Sequence, residues 1–126
     1  QTVVTPHPLE AARLLGCTTA QIQADRLQAA QRLADRFGCT VVLKGSGTIV
    51  AAADVPPVIN PTGNGRLATG GTGDVLAGMV GARLAAGESA WKSATSAVFV
   101  HGKTADQWPA DRPFSAGALA IGRWAF

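Results

Sequence analysis

Residues 39–53 read "CTVVLKGSGTIVAAA". A β-branched apolar run stops at Lys44, a Gly-Ser-Gly turn follows, and a second run, "TIVAAA", covers residues 48–53. Two such runs joined so tightly read as a β-hairpin. Helical patterns lie on both sides of the pair. A chain in which helices alternate with apolar strands must layer them to bury both, which selects an α/β fold. The hairpin makes the sheet mixed rather than purely parallel.

The flanking elements follow from local signals. Thr2 to Val4 is a short strand stopped by Thr5-Pro6-His7-Pro8. Pro8 suits the first position of a helix, where its missing N–H would have no partner, and "LEAARLLG" closes at Gly16. "TTAQIQADRLQAAQRLADRFG" predicts one long helix. It opens on a Thr18/Gln21 capping box and ends at Gly38, with Leu27, Ala30, Leu33, Ala34 and Phe37 as its apolar stripe. "DVPPVINPTGNG" is turn-rich with a brief "VI" strand inside it. Further helices are predicted from about Thr72 to Ala86, over "SAWKSATSAVFVHGKTADQW", and in the tail "SAGALAIGRWAF".

Composition narrows the function classes. The chain has 126 residues, the length of one ordinary domain, and is 47% hydrophobic and 15% charged, which suits a packed core. Net charge is +3 from 11 basic and 8 acidic residues. Arg13, Arg26, Arg32, Arg36, Lys44, Arg66 and Arg83 are scattered without an aromatic ladder, which argues against nucleic acid as a partner. Cys17 and Cys39 are isolated, read as two small buried thiols in a reducing compartment. No apolar run approaches the roughly 20 residues that cross a bilayer. The expectation is a cytoplasmic protein with no membrane partner. The chain opens "QTVVTPHP", as a strand already leaving a sheet, which points to the back part of a larger domain.

Residues 68–79, "ATGGTGDVLAGM", hold the strongest chemical signal. Glycines admit close backbone approach, and the first N–H groups of a helix are unpaired at the positive end of its dipole. Gly71, Thr72 and Gly73 would therefore aim amides at a phosphate. Asp74 follows at once. Phosphoryl transfer to a hydroxyl needs a group that takes the hydroxyl proton, and a carboxylate beside the anion hole can act as that base. The plainer alternative is a helix begun by ordinary turn residues, with Asp74 favourable in its first turn.

Other glycine patterns do less. "GSGT", residues 45–48, stops short of a dinucleotide fingerprint. Gly63 to Ala68 matches G-x-G-x-x-A but follows a proline loop, opens no helix and lacks the closing acid. The Gly-Lys-Ser/Thr of a Walker loop is missing. Lys44 stands at the carboxyl end of a strand, where open α/β sheets bind ligands; it and Gly45 to Thr48 could hold a nucleotide phosphate, or Lys44 could be a solvent-facing residue before a hairpin. His7, between prolines, reads first as a helix-start or packing residue, and His101, inside an apolar helix, as structural.

Together, "TPHPLEAARLLG", "VVLKGSGTIVA", "NPTGNGRLATGGTGDVLAG" and "VFVHGKTADQW" resemble the carboxyl-terminal half of the ADP/ATP-dependent NAD(P)H-hydrate dehydratases, of the ribokinase-like superfamily. The resemblance covers nearly the whole chain. It implies a ribokinase-like three-layer αβα sandwich, with residues 1–126 as the carboxyl-terminal part of one such domain. The implied activity is nicotinamide nucleotide repair: a nucleotide phosphoryl group is spent to remove water from hydrated NADH or NADPH (NAD(P)HX). By the resemblance Asp74 is the catalytic base and contacts the hydrate. Gly71, Thr72 and Gly73 form the anion hole, and Gly73 also touches the nucleotide. Lys44, Gly45, Ser46, Gly47 and Thr48 bind the nucleotide, and His7 contacts the hydrated cofactor.

The resemblance also implies Mg2+ accompanying ADP or ATP, with no metal ligand of the chain singled out. The implied partners are an NAD(P)H-hydrate epimerase and further copies of the chain. Leu9 departs from the family pattern, which has glycine there, and the family's amino-terminal half is not in this sequence. Residues 1–126 alone are expected to be inactive. Two rivals share the features: a ribokinase-like kinase of a vitamin precursor or sugar, and a non-catalytic nucleotide-binding or assembly module.

Overall fold

The computed structural model describes residues 1–122. In chain order the elements are β1 (Val3–Val4), α1 (Pro8–Leu15), α2 (Thr19–Ala24), α3 (Arg26–Phe37), β2 (Thr40–Leu43), β3 (Ile49–Ala52) and β4 (Val55–Ile59). A 3-10 turn (Gly65–Ala68), α4 (Thr72–Ala85), α5 (Ala90–Asp106) and α6 (Ala116–Ile121) follow. The end of the predicted tail helix, 123–126, lies outside the described residues.

The four strands form one sheet in the order β1-β2-β3-β4. β1 runs parallel to β2, and the two later pairings are antiparallel, so the sheet is mixed as the hairpin required. Side chains alternate across it. Val41, Leu43, Ile49 and Ala51 pack with Ala11, Leu15, Ile22, Ala30 and Leu33 of α1 to α3. Val42 and Val50 face the other way, onto Leu76 and Val80 of α4 and Ala94, Ala97 and Val98 of α5. Because both faces of β2 and β3 are covered, these strands are apolar throughout. The result is the expected αβα layering.

Three sequence expectations are corrected. The single helix over residues 18–38 is two. Asp25, at φ −149 and ψ 82, ends α2 and caps α3 by accepting from the Gln28 N–H. The apolar stripe is narrower than predicted: Ala30, Leu33 and Ala34 are buried, whereas Leu27 and Phe37 are exposed. Phe37 instead lies under the Arg36 guanidinium, 5.4 Å from its ring centre. The third correction is the turn-rich segment, where the whole of "VPPVI" is a strand. Its register slips one residue between Val50 and Ala52, which absorbs Pro56 and Pro57 in a bulge. Prolines are tolerated because β4 is an edge, where missing donors cost no ladder partner. Cys39 is buried and Cys17 half-buried, both as free thiols.

The chain from Asn60 to Asn64 leaves β4 and lies on α5. Thr62 Oγ1 donates to the Phe99 carbonyl at 2.9 Å, and Asp106 accepts from the Gly63 N–H at 2.9 Å and from the Asn64 amide at 3.0 Å. The approach is close at Gly102, where an added Cβ would lie 2.7 Å from the Thr62 carbonyl carbon and 2.8 Å from the Gly63 nitrogen. Both atoms are backbone and cannot rotate away. Gly102→Ala should therefore lower the melting temperature, by a destabilisation of about 1–3 kcal/mol or more, measured by thermal unfolding followed by circular dichroism.

Candidate active site

One cleft gathers most of the sequence's candidate residues. Strand direction brings its walls together. β1 and β2 are parallel, so "TPHP" and "LKG" leave the sheet at the same end, tied by the Lys44 N–H donating to the Pro6 carbonyl at 2.9 Å. The antiparallel β3 begins there and β4 ends there, where the Asn60 N–H donates to the Thr48 carbonyl at 2.8 Å. The cleft, about 610 Å³, is lined by His7, Lys44 to Thr48, Asn60, Thr62 to Gly65, Thr72, Gly73 and His101, among others. It sits outside the carboxyl ends of β1, β2 and β4, the position at which α/β sheets hold ligands. A larger cavity of about 810 Å³ lies where α5 meets α6, lined by none of the candidate residues.

α4 starts at this cleft. Its N-cap is Gly71, and no side chain caps it. Among the described residues the Gly73 N–H has no acceptor, whereas the next two amides, of Asp74 and Val75, both donate to the Gly71 carbonyl. Lys44 reaches the same point: a Cβ on Gly73 would lie 2.9 Å from Lys44 Nζ. An ammonium thus stands against the positive end of a helix. The two repel, and an anion between them is attracted to both.

Thr72 is occupied otherwise. Its hydroxyl lies 2.6 Å from the Leu67 carbonyl and 3.0 Å from the Thr69 carbonyl, and so pins the 3-10 turn to α4. Gly71 and Asp74 are exposed and stand outside the cleft lining, although Asp74 directly follows Gly73 in the first turn of α4. The structure therefore groups His7, Lys44, Gly45, Ser46, Gly47, Thr48, Thr72 and Gly73, and leaves Gly71 and Asp74 at the rim.

His7 is the helix-start residue that its position suggested, and its exposed side chain lines the cleft. Its Nδ1 accepts from the Glu10 N–H at 3.1 Å while Glu10 accepts from the His7 N–H at 2.8 Å, a reciprocal cap of α1. That bond leaves Nε2 as the protonated nitrogen of the neutral ring. The backbone bond from His7 holds the Glu10 carboxyl below its usual range against the opposing effect of burial, and nearby positive charge, Lys44 and Arg13 included, acts in the same direction as the bond.

His101 reads in the sequence as structural because an apolar helix surrounds it, and the structure adds a place at the cleft. It is buried, lines the cleft, and its Nε2 lies 2.9 Å from the Thr72 carbonyl. A carbonyl only accepts, so Nε2 carries the proton. The contact ties α5 to the first turn of α4, a tertiary bond that no local pattern encodes.

Solved structures similar in shape to this arrangement define its class. The chain superposes with TM-score 0.81, at 35% identity, on an ADP/ATP-dependent NAD(P)H-hydrate dehydratase from Bacillus subtilis co-crystallized with ATP and Mg2+, covering 94% of this chain and 44% of that one. A ribokinase-like superfamily protein from Enterococcus faecalis gives TM-score 0.74 at 33% identity, over 94% of this chain and 42% of that one. The fold is ribokinase-like.

Within that class, the family model described as NAD(P)H-hydrate dehydratase matches residues 1–123, and the chain belongs to that family. An ADP-dependent (S)-NAD(P)H-hydrate dehydratase from Neisseria meningitidis is 48% identical over 118 residues, 94% of this chain and 40% of its own length. A bifunctional NAD(P)H-hydrate repair enzyme from Escherichia coli is 50% identical over 104 residues, 82% of this chain and 20% of its own length. The chain thus spans less than half of these relatives.

Burial holds the His101 pKa below the ordinary value of 6.5; the nearby Lys44 charge acts in the same direction and the Thr72 bond against both. As pH falls, the unfolded chain takes up this proton before the folded one. Stability should therefore drop as pH falls through about 6.5 and level off once the folded histidine is also protonated. His101→Gln keeps an N–H donor for the Thr72 carbonyl and removes the titration. Its stability should vary less with pH between neutral and mildly acidic conditions, as read from urea melts at a series of pH values.

Proposed function

We propose that the protein carrying this chain dehydrates hydrated NADH and NADPH, driven by phosphoryl transfer from ADP or ATP. The observation that carries the reading is the meeting of Lys44 Nζ with Gly73 at the uncapped start of α4. It supplies an ammonium and an unpaired amide at one point, which suits a phosphoryl group. The named activities of the Neisseria and Bacillus relatives agree with it.

The chemistry assigns each group a step. The turn from Lys44 to Thr48 binds the nucleotide phosphates, and the anion hole of Gly71 to Gly73 takes up charge on the phosphoryl group in flight, with the unpaired Gly73 amide leading and the Thr72 amide first giving up its long 3.4 Å bond to the Thr69 carbonyl. Asp74, one residue beyond, accepts the proton of the hydrate's ring hydroxyl as its oxygen attacks phosphorus. The phosphorylated intermediate then eliminates phosphate: the ring C–O bond breaks with its electron pair leaving on phosphate, the neighbouring ring carbon gives up a proton to solvent, and the C=C of the dihydronicotinamide re-forms. His7, at the facing strand end, orients the hydrate. Mg2+ fits as a companion of the nucleotide: it keeps several waters and binds largely through phosphates, and the described residues hold no group of three acidic, histidine or cysteine ligands that would cage it. When bound it neutralises phosphate charge. An epimerase that interconverts the hydrate forms is the proposed partner, in keeping with the bifunctional repair enzymes among the relatives.

The full-length protein, mixed with NADHX and ADP or ATP, should restore the nicotinamide absorbance and release phosphate in equal amounts. Phosphorylation of a vitamin precursor or sugar without such recovery would favour a small-molecule kinase instead. Asp74→Asn should retain nucleotide binding and lose about 10²–10⁴-fold in turnover; near-normal turnover would remove Asp74 as the base. Lys44→Ala should weaken the nucleotide by about 1.5–3 kcal/mol and the hydrate far less, as measured by calorimetric titration.

A further inference from the structure

Arg26 reads in the sequence as one of several scattered cations. The break at Asp25 makes it the first residue of α3 and sends its side chain beneath the turn that joins β2 to β3. Its Nη1 donates to the Ser46 carbonyl at 2.5 Å, and its Nη2 lies 3.3 Å from both the Leu43 and the Lys44 carbonyl. The turn closes so tightly over the guanidinium that a Cβ on Gly45 would lie 2.7 Å from Nη2. Gly45 also sits at φ +147, where side chains are disfavoured.

Two features separate this from an ordinary surface arginine. First, no acid pairs with it: among the described residues the ion pairs are His7–Glu10, Arg83–Glu88 and Lys92–Glu88. Its Nε is buried without a partner. A half-buried cation answered only by carbonyls leaves net positive charge under the turn. Second, the bonds fix which way the turn faces. In a trans peptide the C=O and the following N–H point to opposite sides, and no peptide bond here is cis. With the Lys44 and Ser46 carbonyls held on Arg26, the Gly45 and Gly47 amides point away from it. Neither has an acceptor among the described residues, and both residues line the cleft.

We propose that Arg26 is the positioning residue of the nucleotide turn: its guanidinium fork turns the Gly45 and Gly47 amides toward the phosphates of a bound nucleotide and adds a fixed positive charge behind them. The inference rests on the nucleotide assignment made above. Lysine carries the same charge but cannot reproduce the fork. Glutamine could keep one or two donors without the charge.

The test is nucleotide titration with the full-length protein and its variants, together with steady-state kinetics. Arg26→Lys and Arg26→Gln should each raise the nucleotide Kd about tenfold or more, with the KM for hydrate changed less than about twofold. Arg26→Ala should recover part of its nucleotide affinity when guanidinium ion is added at millimolar concentration. If Arg26→Ala fails to fold, Arg26→Lys carries the test. Unchanged nucleotide affinity in the folded variants would overturn the proposal. So would an equal loss for nucleotide and hydrate alongside a lowered melting temperature, since that marks a purely structural brace. A wild-type protein that bound neither ADP nor ATP would overturn the functional reading itself and this inference with it.

Discussion

The arrangement depends on where Lys44 sits. Its backbone N–H donates to Pro6, locking the end of β1 beside the end of β2, and its side chain crosses to Gly73 at the start of α4. Two positive features, an ammonium and a helix N-terminus, are thereby held together, and among the described residues no acid forms an ion pair with Lys44. Such a contact costs free energy in the empty cleft and is relieved by an anion. The rest of the molecule keeps that contact from relaxing.

Two packed faces do the holding. β2 and β3 are buried on both sides, so each side chain that contributes to the α1–α3 layer is followed by one that contributes to the α4–α5 layer. A one-residue slip in register would exchange the two faces, which fixes the sheet relative to both helix layers. Around the cleft the restraints are polar. Thr72 pins the 3-10 turn to α4, His101 ties α5 to α4, and Asp106 and Thr62 hold the loop after β4 on α5. Asp106 is the last residue of α5, where the helix dipole disfavours a carboxylate. Its bonds to Gly63 and Asn64 offset that local cost.

The layering and the hairpin were legible in the sequence because both rest on local pattern: β-branched runs, a glycine turn, and helix ends marked by Thr18, Gly16 and Gly38. The glycine stretch was legible as a helix start for the same reason. The break at Asp25 was not, since apolar spacing continues through it; the available signal was an aspartate followed three residues later by Gln28, an N-cap pattern. Only the "VI" end of β4 was legible; its start was hidden by two prolines, whose cost vanishes only at a sheet edge. The particular contacts of His101 and Arg26 could not be read from the sequence. Each acts on backbone carbonyls distant in sequence, and carbonyl contacts leave no residue-type pattern to recognise. Asp74 was legible as a candidate, but its place at the rim rather than in the cleft wall follows from the orientation of α4, which the sequence does not show.

The central claim is that the phosphates of a nucleotide reach the Lys44–Gly73 contact. The direct measurement is a crystal structure of the full-length protein with ADP and Mg2+ bound. The account predicts a terminal phosphate oxygen within about 3 Å of both the Gly73 nitrogen and Lys44 Nζ, as hydrogen bonding requires, with further phosphate oxygens on the Gly45 and Gly47 amides. Nucleotide held in the cavity between α5 and α6, or phosphates turned away from the start of α4, would contradict it.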